Sequence, residues 1–340
     1  MGRLVALLAV TGIVLGLFAA LTWWVDPLQE VWKPGAYAAA EKDGCLLSQE
    51  LVGNRYYSFK LDVFRSRPTR TFVVGSSRVL KIASHSGERS FANLGYPGTA
   101  PSTLLKLFRA LPAKPVQTVY MGVEAFWFNN HYAIPDTDPS TYHVAEYLLS
   151  RSAFWTSYQQ FKLLDYVRPP HRWRVTTVGS RCTIARGYPS INWNLDGSRV
   201  WSFELAPKQY PRIHGTPFTG TNLAVWRNGY YDDWHALDGA RIRQLEQVLA
   251  LAHARGWKVV GFAPPEPPGI ERVLDTDPRI APQWQAFLRL MPALFARYRD
   301  PWIAQGVRCP ASQFPDAFHS GAACSAKLRD RLDEAARSLH

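Results

Sequence analysis

Residues 4–25, LVALLAVTGIVLGLFAALTWWV, carry no charged side chain over 22 positions. As a helix rising about 1.5 Å per residue, such a stretch reaches roughly 33 Å, enough to cross a bilayer. Trp23 and Trp24 stand where an interfacial aromatic belt belongs, and Asp26-Pro27 ends the run. Arg3 is the only charged side chain ahead of it, which favours a cytoplasmic N-terminus. The rival is a cleaved signal peptide, but its apolar core is usually shorter and no small-x-small site precedes the polar region. Residues 1–25 are therefore expected to be a single-pass anchor. No second apolar stretch of that length follows, so residues 26–340 are expected as a soluble portion on the far side of the membrane.

That remainder is long enough for one large α/β domain with insertions. Hydrophobic residues make up 47% of the 340 and charged residues 19%, so a packed core is feasible. The net charge of +12 attracts anions, yet the basic residues are mostly dispersed arginines. No run of five Lys/Arg and no zinc-finger or RNP-like pattern is present, so nucleic acid is not an expected partner. The excess instead suits a surface beside anionic envelope material.

Four cysteines, Cys45, Cys182, Cys309 and Cys324, form an even set. In an oxidising compartment they can pair in three ways. Cys309–Cys324 would close a short loop and leave Cys45–Cys182 as the other bridge. No CxxC or His-Cys spacing suggests zinc, and no metal or cofactor is expected.

Residues 26–68 read as a linker and lead-in, with a helical stretch around 36–51. An apolar, β-branched strand follows at 69–75, a second at 90–95, and a third at 116–127. Between the last two, residues 101–111 read as a helix capped by Ser102 or Thr103. From about 128 to 235 the pattern loosens and reads as one large insertion. Regular alternation then resumes. A helix capped by Asp238 spans 237–256, a strand 257–265, and a helix 282–298. A short strand near Val307, the loop FPDAFHSG and a final helix over 322–339 complete the domain, 69–340.

Strands alternating with helices predict a parallel sheet covered on both faces. Ligands in such sheets bind beyond the carboxyl ends of the strands. Three segments fall there: Gly75-Ser76-Ser77-Arg78, Asn93-Leu94-Gly95 and Gly122-Val123-Glu124. A serine hydroxyl needs a base within hydrogen-bond reach, an acid to hold that base, and donors for the oxyanion. Ser77 follows a strand end, where a side chain is presented at the sheet rim. Asp316 and His319 stand three apart before the last helix, so on a tight loop or first helical turn they face the same way. The G-x-S-x-G elbow of α/β-hydrolases is absent, because position 79 is Val.

GSSRV at 75–79, NLG at 93–95 and DAFH at 316–319 resemble the first, second and last blocks of the SGNH/GDSL hydrolases. The resemblance is closest to the membrane-anchored branch that includes the teichoic acid D-alanyl transfer protein and the alginate O-acetylation proteins. It implies a three-layer α/β/α, flavodoxin-like domain with Ser77 as nucleophile, His319 as base and Asp316 as its partner. The Ser77 and Gly95 amides would bind the oxyanion. Arg78, Asn93 and Glu124 stand at the same rim as candidate substrate contacts. Two positions depart from the family pattern. Ser76 replaces its Asp, and Glu124 occupies the place of an oxyanion Asn, where an ionised carboxylate cannot donate.

The function this implies is a periplasmic serine-dependent O-acyl (acetyl) transferase in the bacterial inner membrane. It would work beside a multi-spanning membrane O-acyltransferase and acylate a cell-envelope or exported polysaccharide held by aromatic residues of the insertion. A carbohydrate esterase or deacetylase uses the same triad, and a non-catalytic glycan-binding subunit suits the two departures.

Overall fold

The computed structural model describes residues 2–25, 47–48, 56–133, 147–149, 151, 154, 157–158, 191–201, 229–303, 307–314 and 318–339. They fall into two compact units, Met1–Asp62 with Thr141–Leu195 and Val63–Ser140 with Asp196–His340.

In the first unit, helix α1 spans Gly2–Val25. Among the described residues it is the one helix long and apolar enough to cross a membrane, over Gly2–Trp24 at a mean hydropathy of 2.7. Phe18 stacks on Phe154 with ring centroids 3.8 Å apart. Leu47–Ser48 pairs antiparallel with Ile191–Trp193. The strand at 47–48 replaces the end of the helix expected over 36–51, whose remaining residues lie outside the described ones.

The second unit is built on a five-stranded sheet. Its strands are β1 (Thr71–Val74), β2 (Phe91–Asn93), β3 (Thr118–Gly122), β4 (Lys258–Phe262) and β5 (Trp302–Ile303). All pairings are parallel, and the spatial order is β2-β1-β3-β4-β5. Every residue of β2 and β3 is buried. Continuous burial is what a strand with no solvated face requires, and explains why these strands read as apolar runs without alternation.

Helices α2 (Tyr56–Ser66), α3 (Pro101–Ala110) and α4 (Gly239–Ala254) precede strands β1, β3 and β4. On one side of the sheet Phe72 meets Phe64, Phe108 and Trp257 edge-on at 5.4–6.0 Å. On the other, Leu328 and Leu332 of helix α7 (Ala322–Arg337) pack with Val73, Tyr120, Val260 and Phe262. Between β4 and β5 lie α5 (Pro268–Thr276) and α6 (Ala281–Ala296).

Several boundaries differ from expectation for local reasons. Helix α3 begins with Pro101 at its first position and has no side-chain cap, so neither Ser102 nor Thr103 caps it. Asp238 does cap α4, accepting from the Ala240 and Arg241 amides. Helix α5 was not expected. The last strand is Trp302–Ile303, not a stretch near Val307, and is defined by its pairing with Gly261 and Phe262.

The loosely patterned stretch that opens after β3 is tied at its ends. Asn129 Nδ2 donates to the carbonyls of Tyr230 and Asp232, both at 3.0 Å, and Asn129 bridges Leu237. Within the stretch, Asp196 accepts from the amide of Asn93, covering part of the β2 edge.

Candidate active site

The sheet order reverses between β1 and β3. The chain steps from β1 outward to β2, then returns past β1 to β3 and continues the other way. Such a reversal leaves a crevice beyond the carboxyl ends of the two strands. Ser77 opens a 3-10 turn, Ser77–Val79, directly after β1. The geometry of that turn comes from Val79, whose side chain wedges among three glycines at neighbouring strand ends. A Cβ added to Gly75, Gly95 or Gly122 would come within 2.9, 2.6 and 2.6 Å of it. Gly75 also has φ +147°, a conformation that a side chain strongly disfavours. The glycines of all three rim segments are thus explained by close packing under the Ser77 turn.

Ser76 caps this turn. Its Oγ accepts the Arg78 amide at 3.1 Å and donates to Glu124 Oε1 in a short bond. Ser77 itself is half-buried, and its Oγ lies 2.9 Å from His319 Nε2. With the imidazole neutral and Nε2 unprotonated, the hydroxyl donates to the ring. That is the arrangement a base needs to take the proton as the oxygen attacks. The two residues are 242 apart in sequence.

His319 stands on a strapped loop rather than a helical turn, since α7 begins only at Ala322. Cys309 and Cys324 are disulfide-bonded with Cα atoms 5.9 Å apart, closing the loop at its base. Inside it the Gly321 amide donates to Gln313 O at 2.6 Å, and the Ser320 hydroxyl lies 2.9 Å from that of Ser325, just past the bridge. Asp316 lies outside the described residues, as do Cys45 and Cys182.

The residues expected to contact substrate are instead internal braces. Arg78 and Glu124 are buried, and Arg78 Nη1 donates to Glu124 Oε2 at 2.7 Å and to Glu266 Oε1 at 2.6 Å. Its Nη2 reaches the carbonyls of Pro264 and Pro265 at 3.3 and 2.5 Å. One guanidinium thereby ties the ends of β1, β3 and β4. Although burial opposes its charge, the two carboxylates raise its affinity for the proton further. Asn93 is fully buried, and its Nδ2 donates to Val79 O and Ile82 O, both at 2.8 Å. Its Oδ1 accepts the Gly95 amide at 2.9 Å. Gly95, expected as an oxyanion donor, therefore has its N–H already committed. Among the described residues the Ser77 amide meets no acceptor, so it is open to an oxyanion.

Three residues at this site were not foreseen. Glu266 lies just past β4, at a strand carboxyl end like Ser77, and that position was the signal that could have marked it. Tyr230 and Phe318 meet edge-on with centroids 5.3 Å apart, and the Phe318 ring adjoins His319 at 6.4 Å. Tyr230 also packs on Phe126 and Tyr132. Burial raises the Tyr230 phenol, and Glu124 adds to this against the pull of Arg78, so it stays protonated near neutrality. The result is a half-buried aromatic wall beside the serine–histidine pair. Among the described residues no group of three His, Cys, Asp or Glu could hold a metal.

No protein-family model, curated protein or solved structure matches this chain.

Proposed function

We propose that the chain is a membrane-anchored serine O-acyltransferase that places an acyl group, acetyl being the simplest, on a hydroxyl of a cell-envelope or exported polysaccharide. The observation that carries this reading is the 2.9 Å contact between Ser77 Oγ and His319 Nε2 at the reversal of the sheet order. Support also comes from the resemblance of GSSRV, NLG and DAFH to SGNH/GDSL blocks and from the parallel α/β sheet, for which a three-layer SGNH-like fold is the natural reading.

In this mechanism Ser77 Oγ attacks the acyl carbonyl while its proton passes to His319 Nε2. The tetrahedral oxyanion is met by the Ser77 amide. His319 then returns the proton to the leaving group, giving an acyl-serine. A sugar hydroxyl next loses its proton to His319 and attacks the acyl-serine. As the second tetrahedral intermediate collapses, His319 gives that proton to the departing Ser77 Oγ, which frees the serine and leaves the acylated sugar. Asp316 would hold the imidazole through Nδ1. The wall of Phe126, Tyr132, Tyr230 and Phe318 offers apolar faces on which a sugar ring can lie. With the Gly95 amide committed to Asn93, the oxyanion has fewer donors than a fast hydrolase uses, and each lost donor costs about a hundredfold or more. The same oxyanion forms whether water or a sugar hydroxyl attacks, so this loss slows both, and transfer prevails where the aromatic wall holds a sugar in place of water. The anchor would keep the domain in the periplasm beside a multi-spanning O-acyltransferase that delivers the acyl group.

The test is Ser77→Ala, measured by acyl release from p-nitrophenyl acetate with and without oligosaccharide acceptors. Wild type is expected to release faster with acceptor and to yield acylated sugar. The variant is expected to lose both while keeping its unfolding midpoint. Full activity in Ser77→Ala would falsify the assignment. A second reading, a non-catalytic glycan-binding subunit, is favoured by the committed Gly95 amide and by Glu124 in a donor's place. It predicts sugar binding without labelling of Ser77 by a fluorophosphonate.

A further inference from the structure

Next to Ser77 lies a charge cluster assembled from three strand ends, with Arg78 after β1, Glu124 after β3 and Glu266 after β4. One guanidinium serves two carboxylates, at 2.7 and 2.6 Å, with the three side chains only 5%, 1% and 10% exposed. With both acids ionised the cluster would carry one net negative charge almost out of contact with water. The two acids are not equivalent. Each Glu124 oxygen has a donor, from Ser76 and from Arg78. Glu266 Oε1 accepts from Arg78, but Oε2 is buried with no hydrogen-bond partner. An ionised carboxylate there leaves one oxygen unsolvated, whereas a neutral carboxyl demands much less. Consistent with this, burial lifts Glu266 to about 7, with Glu124 pushing the same way and Arg78 opposing.

We infer that Glu266 is a positioning residue for the Ser77 site, holding Arg78 across the three strand ends while neutral and lowering the reactivity of Ser77 when it ionises. The inference rests on the acyl-transfer reading above. Attack by Ser77 builds negative charge on the acyl oxygen beside the cluster, and a second buried negative charge opposes it. Among the described residues the groups facing Glu266 are Arg78, Glu124, Tyr231 and Glu271 of α5, the last within 3.3 Å of Arg308. Among the described residues Arg78 is the cation that touches it.

The experiment uses the full chain in detergent, wild type and Glu266→Gln. The rate of Ser77 modification by a fluorophosphonate is followed across about pH 6 to 9, together with the unfolding midpoint. In wild type the rate is expected to rise as the imidazole loses its proton, then fall about tenfold as Glu266 ionises, the scale of a nearby like charge at an effective dielectric near 20. Glu266→Gln keeps a carbonyl oxygen for Arg78, so it is expected to fold with an unchanged midpoint and to lack the alkaline fall. A purely structural role would move the midpoint and leave the shape of the profile alone. The same alkaline fall in both proteins overturns the inference while leaving the acyl-transfer reading intact. Should the variant not fold, the wild-type profile decides by itself, since a rate that never falls overturns it too. Wild type that is not labelled at any pH sinks the acyl-transfer reading, and the inference with it.

Discussion

Replacing Cys309 and Cys324 together by alanine separates what holds the His319 loop in place from what stabilises the fold. The bridge joins residues 15 apart, and His319 lies inside the loop it closes. Without it the unfolded chain regains loop entropy worth about 3 kcal/mol for a loop of this size. Both cysteines are buried against Phe314, so losing the sulfurs adds roughly 1 kcal/mol of packing. A total of about 4 kcal/mol is therefore expected in urea unfolding.

The native loop, however, is also held by three hydrogen bonds that reach across it among the described residues. These are Gly321 to Gln313 at 2.6 Å, Ser320 to Ser325 at 2.9 Å and His319 to Ser77 at 2.9 Å. At about 1 kcal/mol net for each, they hold the loop closed by roughly 3 kcal/mol, which leaves under about 1% of molecules open. The double variant should thus lose much stability and little reactivity. Fluorophosphonate labelling of Ser77 at room temperature should stay within about twofold of wild type, falling away only on approach to unfolding. Labelling abolished in a variant that is still folded would refute the reasoning, because the bridge and not the hydrogen bonds would then be placing the imidazole. A stability loss below about 1 kcal/mol would refute the entropy argument.

Two further expectations concern the frame around the site. Burial alone would raise the Asp333 carboxyl, but Tyr120, His85 and Arg329 together outweigh it and hold it below the usual carboxylate range. A depressed acid stabilises the fold above its unfolded value near 4, and that contribution is lost as pH falls through the lower folded value. Asp333→Asn should therefore weaken the protein at neutral pH and flatten the decline of its unfolding midpoint below about pH 4, whereas an equal acid decline in both proteins would count against the assignment. Gly75→Ala combines a left-handed φ with a Cβ 2.9 Å from Val79 and 3.0 Å from Gly122 O. It should cost about 2–3 kcal/mol in chemical unfolding and depress Ser77 labelling further than the stability loss explains, and a variant as stable and reactive as wild type would contradict the packing described.

What the sequence alone determined about this protein is what short-range physics controls. The uncharged run at 4–25 has no other economical solution than a long apolar helix, which α1 is. Asp238 and Gly256 mark the ends of α4 through capping chemistry that acts within a single turn. Strands β1, β3 and β4 were legible because full burial demands unbroken apolar runs. Even the meeting of Ser77 with His319 could be anticipated, since a strand end and a loop before a terminal helix converge at one edge of a parallel sheet.

Where the signal was not local, the tertiary structure decided. Helix α5 hid behind prolines that normally break helices but here begin one. Strand β5 is two residues long and exists only through its neighbour β4. The roles of Arg78, Glu124 and Glu266 depend on contacts made across 46 and 188 residues of chain, which no spacing encodes. Gly95 likewise looked like a free amide donor until the packing of Val79 and the side chain of Asn93 claimed its surroundings. Burial turned residues that look like substrate contacts in the sequence into the supports of the serine, because a charge or amide shut away from water must find its partners inside the protein.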